Sequence, residues 1–230
     1  MTTPPRTIAD LLTRLLREPG RPRLTWYGPD GERVELSGAV LDNWVAKTVN
    51  LLVEEFDSGP GTVVRIDLPP HWRSVVWALA VWRCGATVSV DDGPADVVVT
   101  DRPEAVGGDA AVVAVALPAL ARAWDGAALP AGAIDAASAV MTYGDVIGWV
   151  PEVDPAAVAL QTPVQQVRHE GLFTLAANEE RALVGTGDFI EAMRGAIAVL
   201  GGGGSLVLVS GREPEELARL AEMERVTHLL

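Results

Sequence analysis

The sequence contains few of the residue types that carry chemistry. It has one cysteine (Cys84), one lysine (Lys47) and three histidines among 230 residues. A single cysteine excludes both an intrachain disulfide and a cysteine-based metal cluster. Lys47 is the one residue available to any reaction that requires a lysine. The histidines have no second histidine or carboxylate at metal-ligand spacing, so the sequence predicts no metal site.

Basic charge and long apolar runs are scarce as well. The net charge is -13, because 31 acidic residues face 18 basic ones. Proteins bind the phosphates of nucleic acids through clusters of Lys and Arg, so we expect no nucleic-acid partner. No window approaches the ~20 apolar residues of a membrane-spanning helix, and the N-terminus lacks the apolar core of a signal peptide. We therefore expect a cytoplasmic protein with no membrane partner.

The one mildly basic stretch is near the N-terminus. Its interruption by acidic residues is typical of a solvated helix face rather than of an anion-binding patch. The arginines concerned are Arg6, Arg14, Arg17, Arg21 and Arg23.

Apolar periodicity predicts an α/β fold. A capping box at Thr7 and Asp10 opens the first helix, whose apolar face ends at Leu16. Near-continuous apolar strands then alternate with helices, which favours a mostly parallel sheet or sheets with helices on both faces. We expect residues 1–230 to form one domain. It could consist of two lobes divided near the Ala-, Gly- and Pro-rich segment 129–154, and whether it contains one sheet or two stays open.

Three segments qualify this pattern. Only residues 91–95 separate two predicted strands. A parallel crossover normally needs a dozen residues, so those strands are predicted to be antiparallel neighbours or not to pair directly. Residues 171–177 are predicted to be helical, and residues 226–230 to begin another buried strand.

Two glycine-rich segments could suggest phosphate binding. Gly201–Gly204 follows a helix and precedes a strand, which is the order of a helix C-cap rather than of a phosphate loop. The turn Gly185–Asp188 has the strand-to-helix order that a phosphate loop requires, and Asp188 is a natural helix cap. It lacks the third glycine of a dinucleotide fingerprint.

Several acidic groups are candidates for acid/base or metal chemistry. Glu179 and Glu180 are adjacent, and four aspartates cluster around two predicted strands. Exposed turn carboxylates are the commoner interpretation of both groups. The four aspartates are Asp91, Asp92, Asp96 and Asp101.

In order along the chain, several segments resemble the AMP-forming acyl-CoA synthetase and adenylating-enzyme superfamily. They are scaffold motifs, and they match the N-terminal part of that family's large domain. The chain is most similar to short actinobacterial proteins that are distantly related to AMP-binding enzymes. The matching segments are 24–27, 34–36, 59–66, 78–88, 154–160 and 200–208.

The departures from that family bear on activity. In the family, the strand that follows Asp154 leads into a Ser/Thr/Gly-rich phosphate loop ending in lysine. Here residues 161–171 keep only Thr162 of that loop, and Pro163 removes an amide. The ribose-binding aspartate and the domain that carries the catalytic lysine are also missing. The resemblance therefore implies no stand-alone ATP-dependent acyl-CoA ligase activity and assigns no catalytic residue.

Three functions remain open. The first is a truncated, non-catalytic scaffold whose surface, exposed by truncation, is covered by a second copy or another protein. The second is a residual site for ATP, AMP, CoA or an acyl-CoA, at the carboxyl ends of the strands. The third is an unrelated enzymatic activity on the old scaffold. The residues expected nearest the ligand site are Thr162, Arg168, His169, Thr186 and Asp188.

Overall fold

The structure is a computed structural model that describes residues 4–174 and 180–230. The chain divides into two compact units. The first unit comprises Met1–Asp42, Pro69–Val75 and Leu172–Leu230, and the second comprises Asn43–Leu68 and Val76–Gly171. Segment 129–154, where the sequence predicts a boundary between lobes, lies within the second unit. No helix among the described residues is long and apolar enough to cross a membrane.

The described residues form six α-helices. The capping box predicted for the first helix is present, because Thr7 Oγ1 accepts from the Asp10 amide and the Asp10 carboxylate accepts from the Thr7 amide. Leu16 lies just beyond this helix and is exposed. The helices are α1 (Ile8–Leu15), α2 (Gly38–Phe56), α3 (Trp72–Arg83), α4 (Ala136–Ala139), α5 (Phe189–Gly202) and α6 (Pro214–Met223).

The first unit contains a five-stranded sheet of order β12-β10-β11-β1-β2. The β1–β2 pair is an antiparallel hairpin, whereas β11 is parallel to both β1 and β10. Its strands are β1 (Pro22–Tyr27), β2 (Arg33–Ser37), β10 (Arg181–Gly185), β11 (Ser205–Val209) and β12 (His228–Leu229).

The second unit contains a seven-stranded sheet of order β7-β6-β5-β3-β4-β8-β9. Every described pair in it is parallel except β8–β9. The protein therefore has two mostly parallel sheets flanked by helices, which confirms the predicted fold class. The strands are β3 (Val63–Asp67), β4 (Thr87–Ser89), β5 (Val97–Thr100), β6 (Ala111–Ala114), β7 (Ile134–Asp135), β8 (Val158–Gln161) and β9 (Gln166–Arg168).

The connection between β4 and β5 is unusually short. Both strands pair with β3 in parallel, one on each side, so they do not pair with each other. This confirms the second of the two predicted alternatives. Residues 90–96 cross β3 as an irregular segment with several bends, because strands of three and four residues require little length for the return. The rule that a parallel crossover needs a dozen residues does not apply to strands this short.

The position of Arg23 corrects the prediction that the N-terminal arginines form a solvated helix face. Its side chain lies on β1 and is only 2% exposed. The guanidinium donates to the carbonyl oxygens of Gly203 and Gly204 and to Glu18. Gly203 has φ +84° and is the C-cap of α5, as the helix-to-strand order of the glycine run predicts. Arg14 also donates to this helix end, at Gly201 O (2.9 Å).

A carboxylate network joins α6 to the sheet of the first unit. Glu224, just after α6, accepts from the Tyr27 hydroxyl (2.5 Å) and from Arg33 Nε (2.9 Å), and it pairs with Arg181. Arg181 also donates to Ser205 Oγ (2.7 Å). Burial raises the pKa of Glu224, but hydrogen bonds from Arg33, Tyr27 and Arg181 outweigh it and lower this pKa to about 2.

Two segments in the C-terminal part of the chain differ from the predictions. The strand expected at residues 226–230 forms as β12, but it is exposed rather than buried, because it is the edge strand beside β10. The helix expected at 171–177 is a 3-10 turn at His169–Gly171 followed by a turn, and residues 175–177 lie outside the described residues.

Candidate functional site

The segment that follows β8 is a tight hairpin turn. The Thr162 amide donates to Gln165 O (2.9 Å), and Thr162 Oγ1 accepts from the amides of Val164 (3.3 Å) and Gln165 (3.1 Å). Pro163 has no amide to offer. The described amides of this turn are therefore occupied within the turn itself, and Val164 projects from its tip with 91% of its surface exposed.

Arg168 and His169 end the same hairpin. Arg168, on the edge strand β9, donates to the carbonyl oxygen of Ala156, across the hairpin. The amide of His169 donates to Ala157 O (3.1 Å), and its ring is buried, with 5% exposed. Within the described part of the chain, His169 Nε2 has no hydrogen-bond partner. Burial lowers the pKa of His169 despite hydrogen bonds with the backbone of Gly85 and Ala86.

The lowered pKa of His169 predicts a loss of stability in mild acid. Well above pH 6.5 the imidazole is neutral in both states, but as the pH falls through 6.5 the unfolded state binds a proton that the folded state excludes. One such proton changes the free energy of unfolding by at most about 1.4 kcal/mol per pH unit. Urea unfolding at several values between pH 7.5 and 5 should show a shallower pH dependence in His169→Gln. The exposed control His228→Gln should keep the wild-type dependence, and equal slopes in all three proteins would contradict the prediction.

Thr186 and Asp188 form a separate turn between β10 and α5. Asp188 Oδ1 accepts from the Glu191 amide (2.9 Å), so it is the N-cap that the sequence predicts. Thr186 Oγ1 accepts from the Asp188 amide (2.9 Å) and donates to Glu191 (2.7 Å). Two carboxylates at this helix N-terminus oppose the binding of an anion there.

The five predicted site residues belong to two groups. Thr162, Arg168 and His169 lie together on the β8–β9 hairpin of the second unit, whereas Thr186 and Asp188 lie in the first unit. That all five face one ligand stays a prediction.

The single lysine is part of a structural contact. Lys47 Nζ, on α2, donates to Tyr143 O (2.6 Å) and pairs with Asp145 (2.6 Å). Beside it, the buried Asn50 donates to Gly144 O (3.1 Å) and Val146 O (2.9 Å) and accepts from the Gly148 amide (3.1 Å). Sequence reasoning missed this role, because a lysine and an asparagine on a helix resemble solvated residues until their distant partners are known.

The other candidates for chemistry are the single cysteine and the acidic groups. Cys84 is fully buried, and burial raises its pKa to about 12, so it packs as an apolar side chain. The pKa of Asp101 is raised, and burial of the carboxylate is the largest cause. Glu179 lies outside the described residues, so its pairing with Glu180 is undescribed. No group of three or more His, Cys, Asp or Glu side chains within residues 4–174 and 180–230 could hold a metal ion.

Comparison with known proteins gives one close relative in sequence and many in structure. No protein-family model matches the chain. A protein of Mycobacterium tuberculosis described as a TIGR03089 family protein is 37% identical over 249 residues, covering 100% of both chains.

The similar solved structures are adenylate-forming enzymes. An acyl-CoA synthetase of Brucella canis superimposes with a TM-score of 0.75 at 19% identity, covering 95% of this chain and 46% of its own. The N-terminal subdomain of Klebsiella oxytoca NpsA, in complex with 3-hydroxybenzoyl-AMSN, gives 0.68 at 14% identity, with coverages of 97% and 59%. The amide bond synthetase McbA of Marinactinospora thermotolerans gives 0.66 at 17%, with coverages of 96% and 48%. The chain thus spans about half the length of these proteins, and the likeness establishes the fold.

Proposed function

The chain belongs to the TIGR03089 family and has the fold of the N-terminal part of AMP-forming adenylating enzymes, and we propose that it is a non-catalytic homologue acting as a binding or interaction scaffold. The observation that carries this proposal is the closed turn after β8. In the enzymes that the sequence resembles, this is the place of the phosphate loop.

A phosphate-binding loop works by presenting unoccupied backbone amides and a cation to the anion. Here Thr162 Oγ1 uses two of the turn amides, Gln165 O uses a third, and Pro163 has none. Opening the turn to a phosphate would require breaking these bonds. The turn therefore favours a structural role over nucleotide binding.

The cations of the second unit give the same indication. Arg168, the nearest basic residue along the chain to the turn, donates to Ala156 O within its own hairpin. The single lysine, Lys47, pairs with Asp145 and holds residues 143–145 against α2. Neither is poised to neutralise the charge that develops on an acyl-adenylate or a pyrophosphate.

The proposal predicts that the purified protein will not adenylate carboxylic acids. ATP–pyrophosphate exchange and hydroxamate trapping with a panel of aliphatic and aromatic acids should stay at the level of a no-enzyme control. Thermal shifts with ATP, AMP, CoA and acetyl-CoA at millimolar concentration should stay within the scatter of the buffer control. A ligand at 100 times its Kd would add about 2.7 kcal/mol of stability, which a thermal shift readily detects.

Two results would overturn the proposal. ATP-dependent exchange with any acid would establish an enzyme. A dose-dependent rise in Tm that is lost in Arg168→Ala, and kept in the exposed control Arg122→Ala, would instead establish the alternative function of nucleotide or CoA binding.

A scaffold requires a partner surface, and the open edge of the first sheet is the best candidate for self-association. The strand β12 pairs only with β10 in the described sheet, and Leu229, which lies on it, is 65% exposed. Exposed apolar edges favour pairing with another chain.

We expect light scattering to show a dimer or larger assembly whose dissociation is promoted by Leu229→Lys. The matched variant Leu120→Lys, at an exposed leucine of the second unit, should leave the assembly intact. A monomer at all concentrations would contradict self-association through this edge.

A further inference from the structure

Two connections that cross the seven-stranded sheet beside β3, β5 and β6 contain no α-helix. The connections 90–96 and 101–110 are fully described, and neither contains an α-helix. Both lead to the next strand in the same direction across the sheet, from β4 past β3 to β5 and then to β6. Right-handed crossovers of this kind lie on the same face. The two connections therefore form a thin, irregular layer where a helix could have lain.

A groove of about 590 Å³ lies between these two connections. Its floor includes Arg65 of β3 and Val98 of β5, which are register partners and so project from the same face of the sheet. Its walls are residues 92–96 on one side and 107–110 on the other. The groove lies at the amino ends of β5 and β6, so it is separate from the β8–β9 turn discussed above.

The Arg65 guanidinium makes no hydrogen bond or ion pair with any described residue, although Arg65 is partly buried. Asp91, whose charge interacts with that of Arg65, accepts from other groups: Gln161 Nε2 (2.9 Å), Ser89 Oγ (2.9 Å) and the Gly93 amide (3.1 Å). These hydrogen bonds, led by that of Gln161, lower the pKa of Asp91, and the charge of Arg65 adds to the effect. A guanidinium has five donors in a fork that fits a carboxylate, and Arg65 is part of the groove lining.

The rim of the groove has the opposite charge. Asp92 and Asp109 are exposed and, like Arg65, make no ion pair within the described residues. Asp96 accepts from the Val63 amide (2.7 Å) and so fixes the wall beside β3. A cationic floor beneath an acidic rim complements a molecule that carries both a carboxylate and an ammonium group.

We propose that this groove binds a small zwitterion, a free amino acid or a short peptide, with its carboxylate on Arg65 and its ammonium group at Asp92 or Asp109. A simple anion would be repelled by the rim, and a simple cation would leave Arg65 unsatisfied. The volume lies within the range of pockets that hold small molecules. This site does not depend on the proposed scaffold function and would be compatible with it.

The test is calorimetric titration of the full-length protein with glycine and with glycylglycine, which separates the two sources of the zwitterion. We expect saturable binding of at least one of them, with a Kd of about 1 mM or below. N-acetylglycine, which lacks the ammonium group, and glycinamide, which lacks the carboxylate, should bind at least about ten-fold more weakly. Arg65→Met should weaken the binding by a similar factor, whereas Arg122→Met, an exposed arginine outside the groove, should not.

Three results would overturn the proposal. They are the absence of saturable binding by either zwitterion, equal binding of glycinamide and the zwitterion, and unchanged affinity in Arg65→Met. If Arg65→Met does not fold, as judged by circular dichroism, Asp92→Asn combined with Asp109→Asn provides the test. These exposed rim substitutions leave the sheet intact and should weaken zwitterion binding while leaving N-acetylglycine binding unchanged or stronger.

Discussion

Replacing Glu224 with glutamine is expected to lower the free energy of unfolding at pH 7 by about 2–3 kcal/mol. The glutamine keeps the size of the side chain but removes the charge that Arg33 and Arg181 share, and its amide nitrogen would face their donors. Only 9% of the Glu224 side chain is exposed, so water cannot replace the lost contacts. Chemical denaturation of the variant beside Glu222→Gln, an exposed carboxylate on the same helix, measures the effect. A loss no larger than that of Glu222→Gln would contradict the role assigned to the network.

The same carboxylate should contribute to acid unfolding. Its pKa is about 2 in the folded protein against 4.5 for the unconstrained group. Its contribution is therefore fully present above pH 4.5 and is lost as the pH falls from there toward 2. Part of the wild-type loss of stability over this interval should disappear in Glu224→Gln. The His169 effect lies at higher pH, so the two contributions can be separated in one pH series.

Replacing Arg23 with methionine is the second large effect, with an expected loss of about 2–4 kcal/mol. The methionine fills much of the same space, but it leaves the carbonyl oxygens at the end of α5 without the donor that satisfies them. Those carbonyls also carry the negative end of the helix dipole, which a buried guanidinium stabilises. The change in stability is measured by urea denaturation.

Arg21 supplies the control for this prediction. It is two residues away, exposed, and pairs with Glu18 at 3.0 Å. Exposed pairs of this kind contribute at most about 1 kcal/mol, so Arg21→Met should have little effect. Equal losses in the two variants would show that Arg23 acts through surface charge rather than through the buried helix end.

Most of the regular elements could be predicted because their signals are local. The Thr7–Asp10 capping box, the Asp188 cap and the glycine C-cap at Gly203 all act within a few residues of the chain. The α/β class follows from the order of these elements.

The features that sequence reasoning missed depend on partners far along the chain. Arg23 and Gly203 are 180 residues apart, and Lys47 and Tyr143 are 96 apart. No periodicity relates such residues, so a buried arginine appeared to belong to a solvated face. The strand predicted at residues 226–230 is expected to be buried, but burial depends on neighbours in the sheet, which the local sequence does not specify. The environment of Arg65 was not predictable for the same reason, because it is formed by two connections that follow Arg65 in sequence.

The candidate ligand residues were only partly interpretable from sequence. The loss of glycines and lysine after Asp154 pointed correctly to an altered loop, because phosphate binding has a strong compositional signature. The sequence did not show that Thr162 closes the turn, since the same hydroxyl could equally have faced a ligand.

The division of the chain has a consequence for the order of folding during synthesis. All strands of the seven-stranded sheet come from residues 63–168, whereas β1 near the N-terminus must wait for β11, whose parallel register partner for Leu24 is Leu206. A ribosome adds residues one at a time, so the second sheet can pair completely while β1 and β2 have only each other. The β1–β2 hairpin is synthesised first but would be among the last elements to complete its pairing. Until β11 is synthesised, the apolar strand β1 would be accessible to chaperones.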